Sequence, residues 1–297
     1  MRRVVPSPLP CISIQQHDSL TRGESARLHE GGPGESRQAQ PVSQPVWPDS
    51  AAAHFARWQR YSDGIPALAS AIRSAIGQVA ELLDIGAGTG VLGASLLRPG
   101  GHHRALEPNG YMARRLRRDC PRHLQRTVIE APWQAVLPDA HLRSEAVLCA
   151  NIPGLVEEAA ATWRHVSGLA HRHLVWIVPA QAAPRSWCLS GFLPPHLHGS
   201  DTTPGFAITQ AQLAGIAPEP QIIFVDWTWR VRFASRPAAI AWFTPRLQNP
   251  TDPTLQAALA TWCHQHLKRA HRGWIAEAPK RSAIMLWSFQ HPQELNE

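Results

Sequence analysis

In Leu82-Leu83-Asp84-Ile85-Gly86-Ala87-Gly88-Thr89-Gly90-Val91 a short apolar run meets three glycines at alternate positions, and a helical pattern follows. A buried strand, a tight turn and a helix N-terminus are the expected structures. Glycines let the backbone approach a ligand closely and take positive φ, and the first helical turn leaves N–H groups free to bind it. Three nucleotide-binding turns begin this way. A phosphate-binding loop would close on Gly-Lys-Ser/Thr, whereas Gly90 is followed by Val91 and Leu92. A dinucleotide turn needs G-x-G-x-x-G, and its last glycine position, 91, holds valine. What stands is G-x-G-x-G with Asp84 two residues ahead. That arrangement has no pyrophosphate to cradle, and an acidic strand end suits a cationic ligand with an amino-acid head group.

Downstream, a second short strand over Arg104–Leu106 ends in Glu107-Pro108, 17 residues after Gly90. A carboxylate at that strand end, next to the glycine turn, can accept hydrogen bonds from both ribose hydroxyls of a nucleoside. The alternation then continues. Helical patterns over Tyr111–Arg118 and Val156–Ala170 separate strands at Thr127–Ile129, Ala146–Ala150 and Leu174–Val178. Strand and helix in this alternation imply a parallel sheet covered on both faces. Upstream, Ala53, Phe55, Trp58 and Tyr61, then Ile65, Leu68, Ile72 and Ile76, recur at helical spacing and predict two helices before the first strand. In the last third, Ile222–Val225 and the alternating Trp227, Trp229, Val231 and Phe233 predict strand, Ala238–Phe243 and Thr254–His271 predict helices, and Ala283–Phe289 a final strand.

Asp84-Ile85-Gly86-Ala87-Gly88-Thr89-Gly90 followed by Glu107-Pro108 resembles the first two motifs of class I S-adenosylmethionine-dependent methyltransferases, and the similarity extends to about residue 180. It implies a Rossmann-like three-layer α/β sandwich: a seven-stranded, mostly parallel sheet, with Ala283–Phe289 as the one antiparallel strand near its edge. The helices before the sheet and between the last two strands would be additions. The resemblance further implies S-adenosylmethionine as cofactor. Gly86, Ala87, Gly88 and Gly90 would pass beneath it, Asp84 would hold its amino end, and Glu107 its ribose. Pro108 and the residues to Met112 would flank the adenine, whose amine Glu130 and Ala131 would reach after the third strand. The family more often has a second acidic residue where Ala131 stands. Trp133, the tryptophan-containing helix before the sheet and the C-terminal Trp227 and Ala241-Trp242-Phe243 resemble a small-molecule-type subset of that family.

The fourth strand ends in Asn151-Ile152-Pro153-Gly154. Strand ends face the ligand crevice in open α/β sheets, which places Asn151 beside the cofactor's reactive end. Base-modifying amino-methylases carry Asn/Asp-Pro-Pro-aromatic here, with the aromatic stacking a flipped base. Gly154 offers nothing to stack. No side chain is nominated as catalytic, because the sulfonium is already activated and alignment of the acceptor supplies much of the acceleration. Trp58 and Tyr61, on a helix placed to cover the crevice, are the candidate substrate contacts, with His196 in the Pro-rich stretch beside His198 and Asp201.

The remaining composition narrows the class. The chain has 297 residues, 44% hydrophobic and 17% charged, as ordinary globular proteins do. No apolar run suggests a membrane span, and the N-terminus lacks a secretory pattern, so a cytoplasmic location is expected. Residues 1–45, rich in Pro, Gly, Ser and Gln, read as a disordered tail. Residues 46–297 read as one domain, with N-terminal helices to 78, a cofactor core over 79–180 and a substrate-side part over 181–297. Five cysteines at irregular spacing suggest reduced thiols rather than disulfides or zinc, and the 16 histidines form no metal pattern. The charge of +7 comes almost wholly from arginine, since Lys268 and Lys280 are the two lysines. The cluster Arg114, Arg115, Arg117 and Arg118 reads as a solvated helix face. A small-molecule acceptor is the favoured expectation. A nucleic-acid or protein acceptor and a non-catalytic cofactor-binding module are the alternatives, and the sequence leaves the oligomeric state open.

Overall fold

The computed structural model describes residues 48–133, 140–152, 158–181, 192–199 and 205–289. The tail over 1–45, Cys11, Cys188, Pro153, Gly154 and Asp201 lie outside them. Two helices, α1 (Asp49–Gln59) and α2 (Gly64–Ile76), lead into β1 (Val79–Ile85), the glycine turn and α3 (Val91–Leu96). Then come β2 (Leu97–Leu106), α4 (Gly110–Arg118), β3 (Gln125–Ile129), β4 (Ser144–Ala150), α5 (Ala159–Val166) and β5 (Ala170–Pro179). The C-terminal third holds α6 (Pro195–His198), α7 (Gly205–Leu213), β6 (Gln221–Phe233), α8 (Arg236–Phe243), α9 (Pro253–His266), β7 (Lys268–Ala270) and β8 (Gly273–Ser288).

The strands form one sheet in the order β3-β2-β1-β4-β5-β8-β6, with β7 paired to β8. The pairs β1–β2, β1–β4, β2–β3 and β4–β5 are parallel, and β8 is antiparallel to both β5 and β6. This is the Rossmann-like sheet expected from the sequence, with its reversed strand next to the edge. Side chains alternate between two cores. Leu82, Leu148, Val175, Ile177 and Ile284 face α2 and α3, meeting Leu68, Ile72, Leu92 and Leu96. Leu83, Val147, Trp176, Val178 and Met285 face the opposite layer, where Trp163 and Val166 of α5 and Leu213 of α7 pack. Burial of each such large side chain stabilises the fold by about 1.5–3 kcal/mol.

Several expectations need correction. The sheet has eight strands rather than seven, because the helix expected to His271 stops at His266 and β7 follows it. α6 occupies part of the Pro-rich stretch around His196 and His198, and α7 is a helix for which the sequence gives no expectation. β8 is 16 residues long and begins at Gly273, ten residues before the expected Ala283, and it ends at Ser288. Pairing with β5 covers only Ser282–Ser288, so Asp226–Phe233 of β6 and Trp274–Arg281 of β8 continue as a ribbon, joined at its tip by β7, about 25 Å beyond the edge of β5. Since β6 is parallel to β5, the ribbon projects from the carboxyl edge of the parallel strands. A separate core gathers on it, with Trp229, Val231, Phe233, Phe243, Leu259 and Ala276 buried among α6, α8 and α9. β6 is an outer strand, and the α1–α2 junction closes its edge. Thr228 N–H donates to Asp63 Oδ1 at 2.5 Å, and Arg230 N–H to Ser62 Oγ at 3.0 Å.

Candidate functional site

Gly86, Gly88 and Gly90 all take positive φ, at 64°, 56° and 68°. The turn is pinned to the neighbouring strand by Ala87 N–H donating to Leu106 O at 3.1 Å and closed by Gly90 N–H to Ala87 O at 2.8 Å. At Gly88 a Cβ would meet nothing nearer than Gly86 O at 4.0 Å, so the backbone there borders open space. At Gly86 it would lie 2.8 Å from Ile152 Cγ1, which sets the end of β4 against the turn.

Glu107 ends β2 beside this turn and is buried. Its Oε2 accepts from Gly88 N–H at 2.7 Å and its Oε1 from Asn109 N–H at 2.8 Å. Burial pushes the carboxyl above its ordinary value, the two amides partly oppose that, and the nearby Asp84 charge adds to it. Each carboxylate oxygen keeps acceptor capacity beyond its one amide. Asn109 caps α4, its side chain accepting from Met112 N–H at 2.9 Å. Met112 is buried against Ala52 and Ala56 of α1, and Pro108 is half-buried. Glu130 Oε2 accepts from Arg117 at 3.0 Å, and its Oε1 lies 3.3 Å from where a Cβ on Gly110 would stand, so it borders the Glu107–Gly110 loop. Ala131 is half-buried against the α5-side core.

Asp84 does not face this opening. Its carboxylate, only 2% exposed, accepts from His103 Nε2 at 3.0 Å beneath α3, and Arg126 Nε donates to His103 Nδ1 at 3.1 Å. The arginine thereby leaves the histidine as the Nε2–H tautomer, donating to Asp84. The sequence reading missed His103 and Arg126. The expected strand begins at Arg104, whereas β2 begins seven residues earlier at Leu97, so His103 falls inside the observed strand and outside the expected one.

Asn151 is the only non-glycine residue with positive φ (51°) among the described residues. Asparagine tolerates that conformation better than most residues, and such outliers gather at functional sites. Its N–H donates to Ile177 O at 3.0 Å, and the adjoining Ile152 covers Gly86.

α1 bridges the carboxyl edge. Its Ala52 and Ala56 pack on Met112, and its last residue, Gln59, accepts from Thr89 Oγ1 of the glycine turn at 2.6 Å. On its other side Phe55 stacks on Trp229 of the ribbon at 5.5 Å. Trp58 sits edge-on to Trp242 at 5.1 Å, and Tyr61 is 38% exposed. Both line one hollow at the ribbon. Gln59, which no sequence pattern singles out, makes the direct contact to the turn. His196 is exposed on α6, and its backbone oxygen accepts from Gln248. His198 turns back to Leu193 O at 3.2 Å, and burial lowers its pKa. Cys149 and Cys263 are buried free thiols, and burial pushes the Cys263 thiol up to about 11, away from nucleophilic use. Among the described residues no group of three His, Cys, Asp or Glu side chains could hold a metal ion, and no helix is long and apolar enough to cross a membrane.

Fold and site together define a Rossmann-like α/β protein with a glycine turn and a buried acidic strand end. No protein-family model matches the chain, and no curated protein sequence matches it. Solved structures do. Magnesium protoporphyrin IX methyltransferase from Synechocystis, with bound SAH, is 12% identical over 75% of this chain and 82% of its own, with a TM-score of 0.40. A putative methyltransferase from Bacillus halodurans is 11% identical over 74% and 97%, with a TM-score of 0.43. A putative type II methyltransferase from Anaeromyxobacter dehalogenans is 14% identical over 83% and 98%, with a TM-score of 0.41. Likeness of this degree assigns no residue and names no substrate.

Proposed function

We propose that this chain is an S-adenosylmethionine-dependent methyltransferase acting on a small-molecule acceptor. The observation that carries the reading is Glu107: a buried carboxylate with no cationic partner among the described residues, held by two backbone amides beside a positive-φ glycine turn. The residues fit a nucleoside carrying an amino-acid arm. Glu107 would accept the ribose hydroxyls, the open backbone at Gly88 would admit the arm, and the Pro108–Met112 loop with Glu130 and Ala131 would border the base. Asp84 would act from beneath, its link to His103 fixing the strand end from which the turn springs.

The bound cofactor supplies an electrophilic methyl group on a sulfonium. This chain's own contribution is binding, alignment and exclusion of water. Asn151 and Ile152 would border the methyl, and α1, anchored at Thr89 and on the ribbon, would cover the crevice and orient the acceptor. The acceptor's proton, where it has one, would pass to solvent, so no side chain is assigned as a base. The small-molecule reading also draws on charge. Arg114, Arg115, Arg117 and Arg118 pair with Asp49, Asp119 and Glu130, four guanidinium groups against three carboxylates, which lowers the attraction of that helix face for a phosphate backbone.

Calorimetric titration of the full chain with S-adenosylmethionine and its demethylated product tests the proposal. Glu107→Ala is expected to weaken binding by about 1.5–3 kcal/mol, and Gly88→Leu to abolish it while the fold persists. Undiminished affinity in either folded variant would refute it.

A further inference from the structure

The ribbon arginines divide into two groups. Arg230 is paired to Asp63 at 3.1 Å and Glu277 at 2.9 Å, and Arg281 grips Asp226 through two contacts of 2.7 and 2.8 Å. Arg232, two residues along the same strand, has no carboxylate partner among the described residues. Its guanidinium lies 4.8 Å over the Tyr61 ring instead. Arg57 of α1 and Arg272 of the β7–β8 turn are likewise without a carboxylate. All three converge with His271 on one hollow of about 590 Å³, walled by Trp58, Tyr61 and Phe233.

The hollow is a built feature rather than a chance gap. The two-residue turn His271-Arg272 is held against the end of β6 by Gly273, whose φ is 98° and where a Cβ would collide with the Phe233 carbonyl oxygen. Trp58 is held by its edge contact with Trp242, and Tyr61 by the α1–α2 junction that closes the β6 edge. Arg57 and Arg272 are exposed and Arg232 is half-buried, so three guanidinium groups border one aromatic wall, and positive charge gathered on one concave surface attracts an anion. The volume lies within the range of small-molecule pockets. Position matters too. The hollow lies at the carboxyl end of β6, on the ribbon that projects from the edge where β1 carries the glycine turn, and α1 reaches both, the hollow through Trp58 and the turn through Gln59.

We propose that this hollow is an acceptor subsite for a small anion: a flat apolar body that packs on Trp58 and Tyr61 and carries a phosphate or carboxylate received by Arg57, Arg232 and Arg272. As a statement about the acceptor it rests on the methyltransferase reading, whereas anion binding at the hollow can be measured without it.

The probes are 1-naphthyl phosphate, 1-naphthoate and the neutral 1-naphthalenemethanol, titrated calorimetrically into the full chain and into Arg232→Gln/Arg272→Gln. Both replaced side chains lie on the hollow's rim, and Arg57→Gln, on exposed surface, serves as a second variant should the first not fold. One-to-one binding of an anionic probe is expected, at least tenfold tighter than the neutral one. The double variant should lose at least tenfold while keeping its affinity for S-adenosylmethionine. Preference between phosphate and carboxylate identifies the anion. Absence of anionic binding, equal affinity for the neutral probe or an unaffected variant would overturn the proposal. So would displacement of the probe by a single-stranded oligonucleotide with a steep salt dependence, which would assign the surface to a nucleic-acid strand. Failure of the wild-type chain to bind S-adenosylmethionine, with anion binding intact, would instead remove the methyltransferase reading.

Discussion

Gly93→Ala is a small change whose sign reports on the buried side of the site. In an ordinary helix interior the substitution stabilises by about 0.8–1 kcal/mol, because glycine loses more backbone freedom. Gly93 lies within α3 directly over Asp84 and His103. A Cβ there would stand 2.7 Å from His103 Nε2 and closer still to Asp84 Oδ2. Neither atom can swing away cheaply. His103 is fully buried and fixed by Arg126 at its other nitrogen, and Asp84 is enclosed by α3 itself. Relief requires either a shift of α3, at the roughly 1–3 kcal/mol typical of overpacking, or loss of the buried hydrogen bond to a charged group, about 1.5–3 kcal/mol.

The expected net effect of Gly93→Ala is therefore destabilisation by about 1–2 kcal/mol. Urea unfolding followed by tryptophan fluorescence measures it. In an Asp84→Ala background the closer of the two obstructions is gone while His103 remains, so the same substitution should cost less than in the wild-type chain. That difference is a coupling between the two sites that a double-mutant cycle isolates. Were Gly93→Ala alone neutral or stabilising, the placement of Asp84 beneath α3 would be refuted, and with it the assignment of Asp84 as a supporting group rather than a direct ligand contact.

Other outcomes follow from the same geometry. The carboxyl of Glu107 is raised by burial, so its contribution to stability is present below the ordinary value of 4.5 and is lost as pH rises through the higher folded value. On the proposed function cofactor affinity would have the opposite dependence, since the ionised form would accept the ribose hydroxyls. Calorimetry across pH should show it falling, on acidification, from a higher pH than an ordinary glutamate would give, and Glu107→Gln should flatten that profile. Asp63→Ala should destabilise by about 1–2 kcal/mol, largely by stranding the Thr228 N–H, and should speed hydrogen exchange at Thr228. Removal of residues 1–45 should leave cofactor affinity and urea midpoint unchanged, because their composition lacks the apolar content to pack.

Much of the sheet is legible in the sequence because its strands are buried on both faces and read as continuous apolar runs. The ribbon was less so. Pro279 within Gly273–Ser288 discourages a strand reading, yet it stands where β8 is paired to β6 alone, between the stretches that meet β7 and β5, so its missing N–H removes no ladder bond on the open side. The first half of β2 is hidden for a similar reason. Arg98-Pro99-Gly100-Gly101 reads as a turn, and the strand absorbs it through a register shift against Val79 and Glu81. α6 starts at Pro195 within a proline-rich run, and α7 carries no single apolar stripe for periodicity to find. Of the site, the glycines and Glu107 are local in sequence. The contacts of Gln59 with Thr89 and of His103 with Asp84 join segments 30 and 19 residues apart, and only the packed fold brings them together.

The two acidic residues at the carboxyl edge differ in a way the motif alone cannot reveal. Asp84 is satisfied from within: a histidine donates to it, an arginine supports the histidine, and a helix covers all three. Glu107 is also buried, though less completely than Asp84, and accepts from backbone amides, so its charge is held at a cost to the unliganded fold. A carboxylate retained in that condition, at the end of a strand and beside open backbone, adds little to stability that an uncharged residue could not. Its retention makes physical sense when a ligand supplies the remaining hydrogen-bond donors. Hydroxyl groups suit the place, because they satisfy the carboxylate without requiring a counter-charge to be desolvated as well. The cations of the ribbon hollow present the complementary case, positive charge left without a carboxylate beside the same C-terminal end of α1 whose Gln59 meets the glycine turn. One helix thus connects a carboxylate awaiting donors to guanidinium groups awaiting an acceptor, which is the arrangement expected where a nucleoside and an anionic second ligand must meet.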